Sequence, residues 1–191
     1  MSDSTYSLDL DLWLNQDIFR RQNRLKSAFL MILEELGNSI SNEELSLIHQ
    51  LSKGKKISKG NDLLGFPYQV LDLVRDFDPE FGLNIRVLNW FGNGLFLLIY
   101  HGLGNNLPPR PLLEMDFAFS LTESPWDYPE MILNNSVSKK TDAWHLVQSK
   151  PIVWLKELQI STAPKSTIST LQLEIRNLLE IMKLSNSEKR M

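Results

Sequence analysis

Two strongly β-prone runs meet at Asn93-Gly94, in the segment Trp90-Phe-Gly-Asn-Gly-Leu-Phe96. Asn-Gly can supply the two positive φ angles of a two-residue hairpin turn. With those residues as the turn, Phe91 pairs with Phe96, Leu88 with Ile99 and Arg86 with His101. Leu88, Trp90, Leu97 and Ile99 then share one face, while Ile85, Val87, Phe91, Phe96, Leu98 and Tyr100 share the other. Both faces are apolar, which a sheet with one side in water does not show. Each face therefore needs a cover: helices, strong curling of the sheet, or a second subunit.

The hairpin sits in a long β-rich region. Residues 57–160 are rich in Val, Ile, Phe, Tyr and Trp and broken by Gly, Pro, Asn and Asp, which predicts strands near 56–60, 68–75, 83–91, 95–101, 114–121, 144–148 and 152–160. Glu114 to Leu121 alternates, with Met115, Phe117, Phe119 and Leu121 on one side, as a half-exposed strand would. The Pro-bearing stretches 102–113 and 122–142 read as surface loops, long enough to be functional or mobile.

Helices flank this region. Ile18, Leu25, Phe29, Ile32 and Leu36 fall on one face of a helix over 16–36, opposite Arg20, Arg21, Arg24 and Glu34. Gly37 and Asn38 suit a left-handed cap at its end. Ser41 and Glu44 form a capping box for a second short helix through Leu45, Ile48 and Leu51. Ile168, Leu171, Ile175, Leu178 and Met182 mark a last helix over about 166–184, packed on the sheet. The expectation is one α+β domain over 1–185: an N-terminal helical hairpin, a mostly antiparallel sheet of five to seven strands, and a C-terminal helix on that sheet. Residues 186–191 read as a frayed tail.

Composition narrows the function classes. The 191 residues carry 20 Lys+Arg against 23 Asp+Glu, a formal charge of −3, so a nucleic-acid partner is not expected. With no cysteine there is no disulfide framework and no thiolate ligand or nucleophile. The longest apolar run, Leu95 to Tyr100, is far short of the ~20 residues of a membrane span. The acidic start MSDSTYSLDLDLW does not resemble a signal peptide. A cytoplasmic globular protein fits these features.

No motif identifies a reaction, and no catalytic residue, metal ligand or cofactor is assigned. His49, His101 and His145 are too far apart for a metal site on one element. Asp76-Phe-Asp-Pro-Glu-Phe-Gly82 lacks the Gly and terminal acid of an EF-hand at the required places and reads as an acidic turn. Gly92-Asn-Gly94 belongs to the hairpin, and Gly102-Leu-Gly104 reads at most as a flexible rim. Lys53, Lys55, Lys56 and Lys59 read as a solvated loop and a guarded edge strand.

Two groups of residues stand out. Asp72, Arg75, Asn84, Arg86 and Asn89 lie in otherwise apolar strands, where charges are normally paired. They form either a structural ion pair or a pocket for a carboxylate or phosphate, with Asp72, Arg75, Arg86 and His101 as its ligand-binding candidates. Trp126 and Tyr128, in a loop between prolines, join Trp90 and Leu97 as interface candidates, since aromatic residues anchor protein interfaces.

Lys56-Ile-Ser-Lys-Gly60, Leu64-Gly-Phe-Pro-Tyr68, Leu71-Asp72, Ile85-Arg86 and Trp90-Phe-Gly-Asn93 together resemble a group of uncharacterised bacterial proteins, chiefly from bacteroidetes. The resemblance spans roughly residues 55–100, and departs at Phe91, where the group carries a second Trp. It implies a bacterial source and a single coherent fold, and transfers no activity, cofactor or site residue. The leading expectation is a non-enzymatic protein that self-associates or binds a protein partner. The rival is a small-molecule-binding protein or enzyme built around Arg86 and His101.

Overall fold

The structure, a computed structural model, describes residues 7–105, 107 and 109–188, with side chains as far as Ser185 at the C-terminal end. Residues 1–6 of the acidic start and 189–191 of the expected tail lie outside the described residues.

In chain order the elements are α1 (Leu10–Trp13), α2 (Gln16–Asn38), α3 (Asn42–Ile48), β1 (Lys56–Leu63), β2 (Phe66–Arg75), β3 (Leu83–Trp90) and β4 (Gly94–His101). There follow α4 (Pro109–Glu114), β5 (Ala118–Ser120), α5 (Tyr128–Leu133), β6 (Val137–Ser138), a 3-10 turn over Thr141–Leu146, β7 (Ile152–Glu157) and α6 (Pro164–Glu188). The strands make one seven-stranded sheet in the order β1-β2-β3-β4-β7-β5-β6, antiparallel throughout. With helices packed on it, the chain has the expected α+β architecture.

Both sheet faces are covered from within the chain. Leu71, Leu73, Ile85, Val87, Leu97, Ile99 and Trp154 pack under α2, α3 and α6 in the main core. On the other face Val70, Leu88, Trp90, Leu98 and Tyr100 lie beneath α5 and its flanks, through Met131, Tyr128 and Ile132. That answers the two-sided apolar hairpin. Trp90 and Leu97, the expected interface residues, are each fully buried, and on opposite faces.

The hairpin register differs from expectation. Trp90 pairs with Gly94, Leu88 with Phe96 and Arg86 with Leu98, while His101 pairs with Leu83. The turn is the three residues Phe91-Gly92-Asn93. Gly92 (φ 84°) and Gly94 (φ 135°) take the positive angles that Asn-Gly was expected to supply. The pairing slips by an odd number of residues, so every β4 side chain changes face relative to β3. Arg86 and His101 therefore lie on opposite sides of the sheet.

Other expectations change locally. The 114–121 strand shrinks to β5, because α4 occupies the stretch before it. No strand forms at 144–148; the 3-10 turn there packs Trp144 against Trp154 and Phe119, at 5.2 Å between centroids in each case. Gly37 lies inside α2, where a Cβ would stand 3.3 Å from Leu71. The helix ends at Ser39 in ordinary right-handed geometry, and Lys55 Nζ donates to the carbonyls of Gly37 (2.8 Å) and Ile40 (2.7 Å). The capping box forms as read, with Glu44 N donating to Ser41 and Ser41 N to Glu44. The expected frayed tail begins too early, since α6 continues to Glu188.

Gly102-Leu-Gly104 is not a loose rim. Gly102, Leu103 and Gly104 donate backbone bonds to Gly82, Pro79 and Glu80 at 2.9, 3.0 and 2.6 Å. A Cβ at Gly102 would meet the Glu80 carbonyl at 2.6 Å, so glycine permits the close approach. The acidic stretch is the β2–β3 turn, with Asp78 Oδ1 accepting from the amides of Glu80 and Phe81.

Candidate functional site

The polar residues of the central strands assemble beneath α5. Asp72 and Arg86 are cross-strand partners in β2 and β3, and Asn84 follows on the same face. Asp72 Oδ1 accepts from Arg86 Nε at 2.8 Å and from Asn84 Nδ2 at 2.9 Å, while Oδ2 accepts from an Arg86 terminal nitrogen at 3.2 Å. The carboxylate is 4% exposed and the guanidinium 17%. A bidentate pair of this kind satisfies both charges in place. Phe77 and Tyr128 present their rings to the guanidinium at 5.7 and 5.9 Å.

The electrostatics follow from this packing. Burial works against the Arg86 charge, but the Asp72 carboxylate outweighs it and holds the guanidinium above its ordinary value. Burial pushes the Tyr128 phenol up, and the Arg86 charge opposes it. Burial likewise raises Tyr100, with Asp78 and Asp76 adding to the shift.

Trp126 closes the cluster from outside. Its ring stacks on Tyr100 at 5.6 Å and 17° and meets Phe77 edge-on at 5.4 Å, yet half of the residue stays in water. The space left between Trp126, Tyr100 and Arg86 is about 20 Å³, too little for any ligand beyond a water.

Of the four ligand-binding candidates, only Asp72 and Arg86 come together. Arg75 donates to the Lys53 carbonyl at 3.0 Å and ties down the segment before β1. His101 lies at the end of β4, with Nδ1 3.2 Å from the Gly102 carbonyl. His49 is 2.7 Å from Asp76 and joins the end of α3 to the β2–β3 turn. Among the described residues no group of three or more acidic or histidine side chains could hold a metal.

The surface that sequence reasoning missed lies at the N-terminal end. The α2 face packs only from Phe29 onward; Ile18, Phe19 and Leu25 are 45, 45 and 48% exposed. The lead-in is barer still, with Leu8 85%, Trp13 69% and Leu14 68% exposed, and Leu10 and Leu12 about half exposed. Leu25, Phe29 and Ile32 then form one wall of an apolar cleft of about 310 Å³, with Ile160 and Pro164 opposite. The signal was present in the Leu-rich run Leu8-Asp-Leu-Asp-Leu-Trp-Leu14, which has no periodic partner elsewhere in the chain.

Comparisons with protein-family models, with curated proteins and with solved structures find no match to this chain. No helix among the described residues is long and apolar enough to cross a membrane.

Proposed function

We propose that this chain acts by association with a second copy of itself, through the α1–α2 arm and the cleft beside it. The observation that carries the reading is the bare apolar arm on a molecule whose sheet faces are otherwise closed. Eight apolar residues from Leu8 to Leu25 stand out in water. At roughly 100 Å² each they come to about 800 Å², the share one partner gives to an interface of standard size. Patches this large on lone soluble domains mark interaction sites.

Charge favours a second copy as the occupant. The start of the arm is acidic, with Asp9, Asp11 and Asp17, and its continuation is basic, with Arg20, Arg21 and Arg24. In a two-fold pairing each segment meets the other's counterpart. Two arms side by side in opposite directions therefore set acid against base at both ends, with the apolar residues between. A parallel pairing would set like against like.

Because these residues are exposed, the test separates association from folding. Sedimentation at micromolar concentration should give a dimer. Ile18→Glu with Leu25→Glu should give a monomer that melts at the wild-type temperature. Arg24→Glu should weaken the dimer, and Asp11→Arg in the same chain should restore it. A wild-type chain that stays monomeric at these concentrations sinks the reading.

A further inference from the structure

We propose a second site, for a small phosphate monoester carrying a ring, in the cleft between α2 and the β1–β2 edge of the sheet. The cleft is about 230 Å³ and is lined by Lys26, Lys59, Asn61, Tyr68, Gln69 and Phe91. It is separate from the Asp72–Arg86 cluster, and the self-association reading does not use it.

Three observations carry it. First, two lysines line the cleft, and among the described residues neither is in an ion pair. The chain as a whole has more acidic than basic residues, so bringing two ammonium groups to one cleft without a carboxylate is not a consequence of composition. Asp62, the acid nearest in sequence to the β1 residues of the cleft, directs a carboxylate oxygen to the Gly65 amide at 2.8 Å.

Second, a buried polar group lies beneath. Gln69 is 5% exposed and its amide is fixed by its neighbours. Nε2 donates to the Lys26 carbonyl at 2.9 Å, and Oε1 accepts from Asn89 Nδ2 at 3.2 Å. The amide nitrogen has two hydrogens, and this arrangement commits one. A fixed amide with one uncommitted N–H, in a cleft also lined by two lysines, is a donor set for an oxyanion.

Third, Phe91 gives the cleft aromatic surface, and it is held edge-on by Phe29 at 5.8 Å. Ligand pockets combine a mostly apolar wall with a few fixed polar groups, and those for drug-sized molecules start near 300 Å³. A cleft of 230 Å³ suits one ring and one phosphate.

The probe is phenyl phosphate, titrated into the full chain and followed by amide chemical shifts. Saturable shifts at Lys59, Asn61 and Gln69 are expected. Lys26→Gln and Lys59→Gln should each weaken binding about tenfold, the loss of one bond to a charged group, while Lys165→Gln on α6 leaves it unchanged. Lys59 is exposed, Lys26 half-buried, and neither is in an ion pair among the described residues, so their variants should melt and sediment as wild type. Inorganic phosphate should bind measurably but more weakly. Absence of binding, binding indifferent to both lysine variants, or equal binding of uncharged phenol each overturns the proposal.

Discussion

At the residue scale, the Asp72–Arg86 pair is the most consequential contact in the molecule. It is buried, bidentate and tied to Asn84, so losing one member strands the other. Asp72→Asn should cost about 3–5 kcal/mol of unfolding free energy in urea. Asp72→Leu with Arg86→Met, two apolar side chains of similar bulk, should recover most of that loss, because the cost lies in the uncompensated charge. A double variant as unstable as the single would show that the pair contributes more than its own neutralisation. The sequence already showed that charges in these strands need partners. It did not show which partner, because the three-residue turn at Phe91–Asn93 sets the register. Asn-Gly is a strong turn signal, but with glycine at both 92 and 94 the chain had another way to place positive φ angles.

At the element scale, periodicity was a reliable guide to which side of a helix can be buried. All five residues of the α6 stripe are in the core. The same reasoning on α2 identified the stripe correctly, yet its first half stays about half exposed. Periodicity reports a capacity to bury a face; whether a face is covered depends on what the rest of the fold brings there. The end of α2 shows the same limit. Gly37 and Asn38 resembled a cap, whereas a lysine 18 residues beyond Gly37 in sequence serves the helix carbonyls. Lys55→Met keeps the aliphatic stem and removes both hydrogen bonds and the charge at the negative end of the helix, which should cost about 1–2 kcal/mol. The exposed neighbour Lys56→Met should change stability by less than about 0.5 kcal/mol, and urea unfolding of the two variants measures the difference.

At the scale of the whole molecule, the α+β class, the antiparallel sheet and its flanking helices were legible because they rest on long, repeated patterns. The cover on the second sheet face was not. It comes from α5, a six-residue helix inside a polar, Pro-bearing stretch that offers no pattern of its own. The strand order was equally hidden, since β5 and β7 carry no mark in the sequence of which edge they join.

That strand order also sets a timetable. Strands β1 to β4 are neighbours in both sequence and space, so each can form as a local hairpin. β5 cannot follow them, because its place is against β7, which lies beyond residues 121–151 and must first close on β4. Pulse-labelled amide exchange during refolding should protect β2, β3 and β4 before β5 and β6; simultaneous protection would mean that β7 is recruited in the nucleus. Until β7 arrives, β4 is an open edge of eight residues reading Gly-Leu-Phe-Leu-Leu-Ile-Tyr-His. A chain emerging from a ribosome therefore carries an uncovered, strongly β-prone edge through some fifty residues of further synthesis. Messages truncated before codon 152 should yield aggregates, and the hazard ends once Ile152–Glu157 is made.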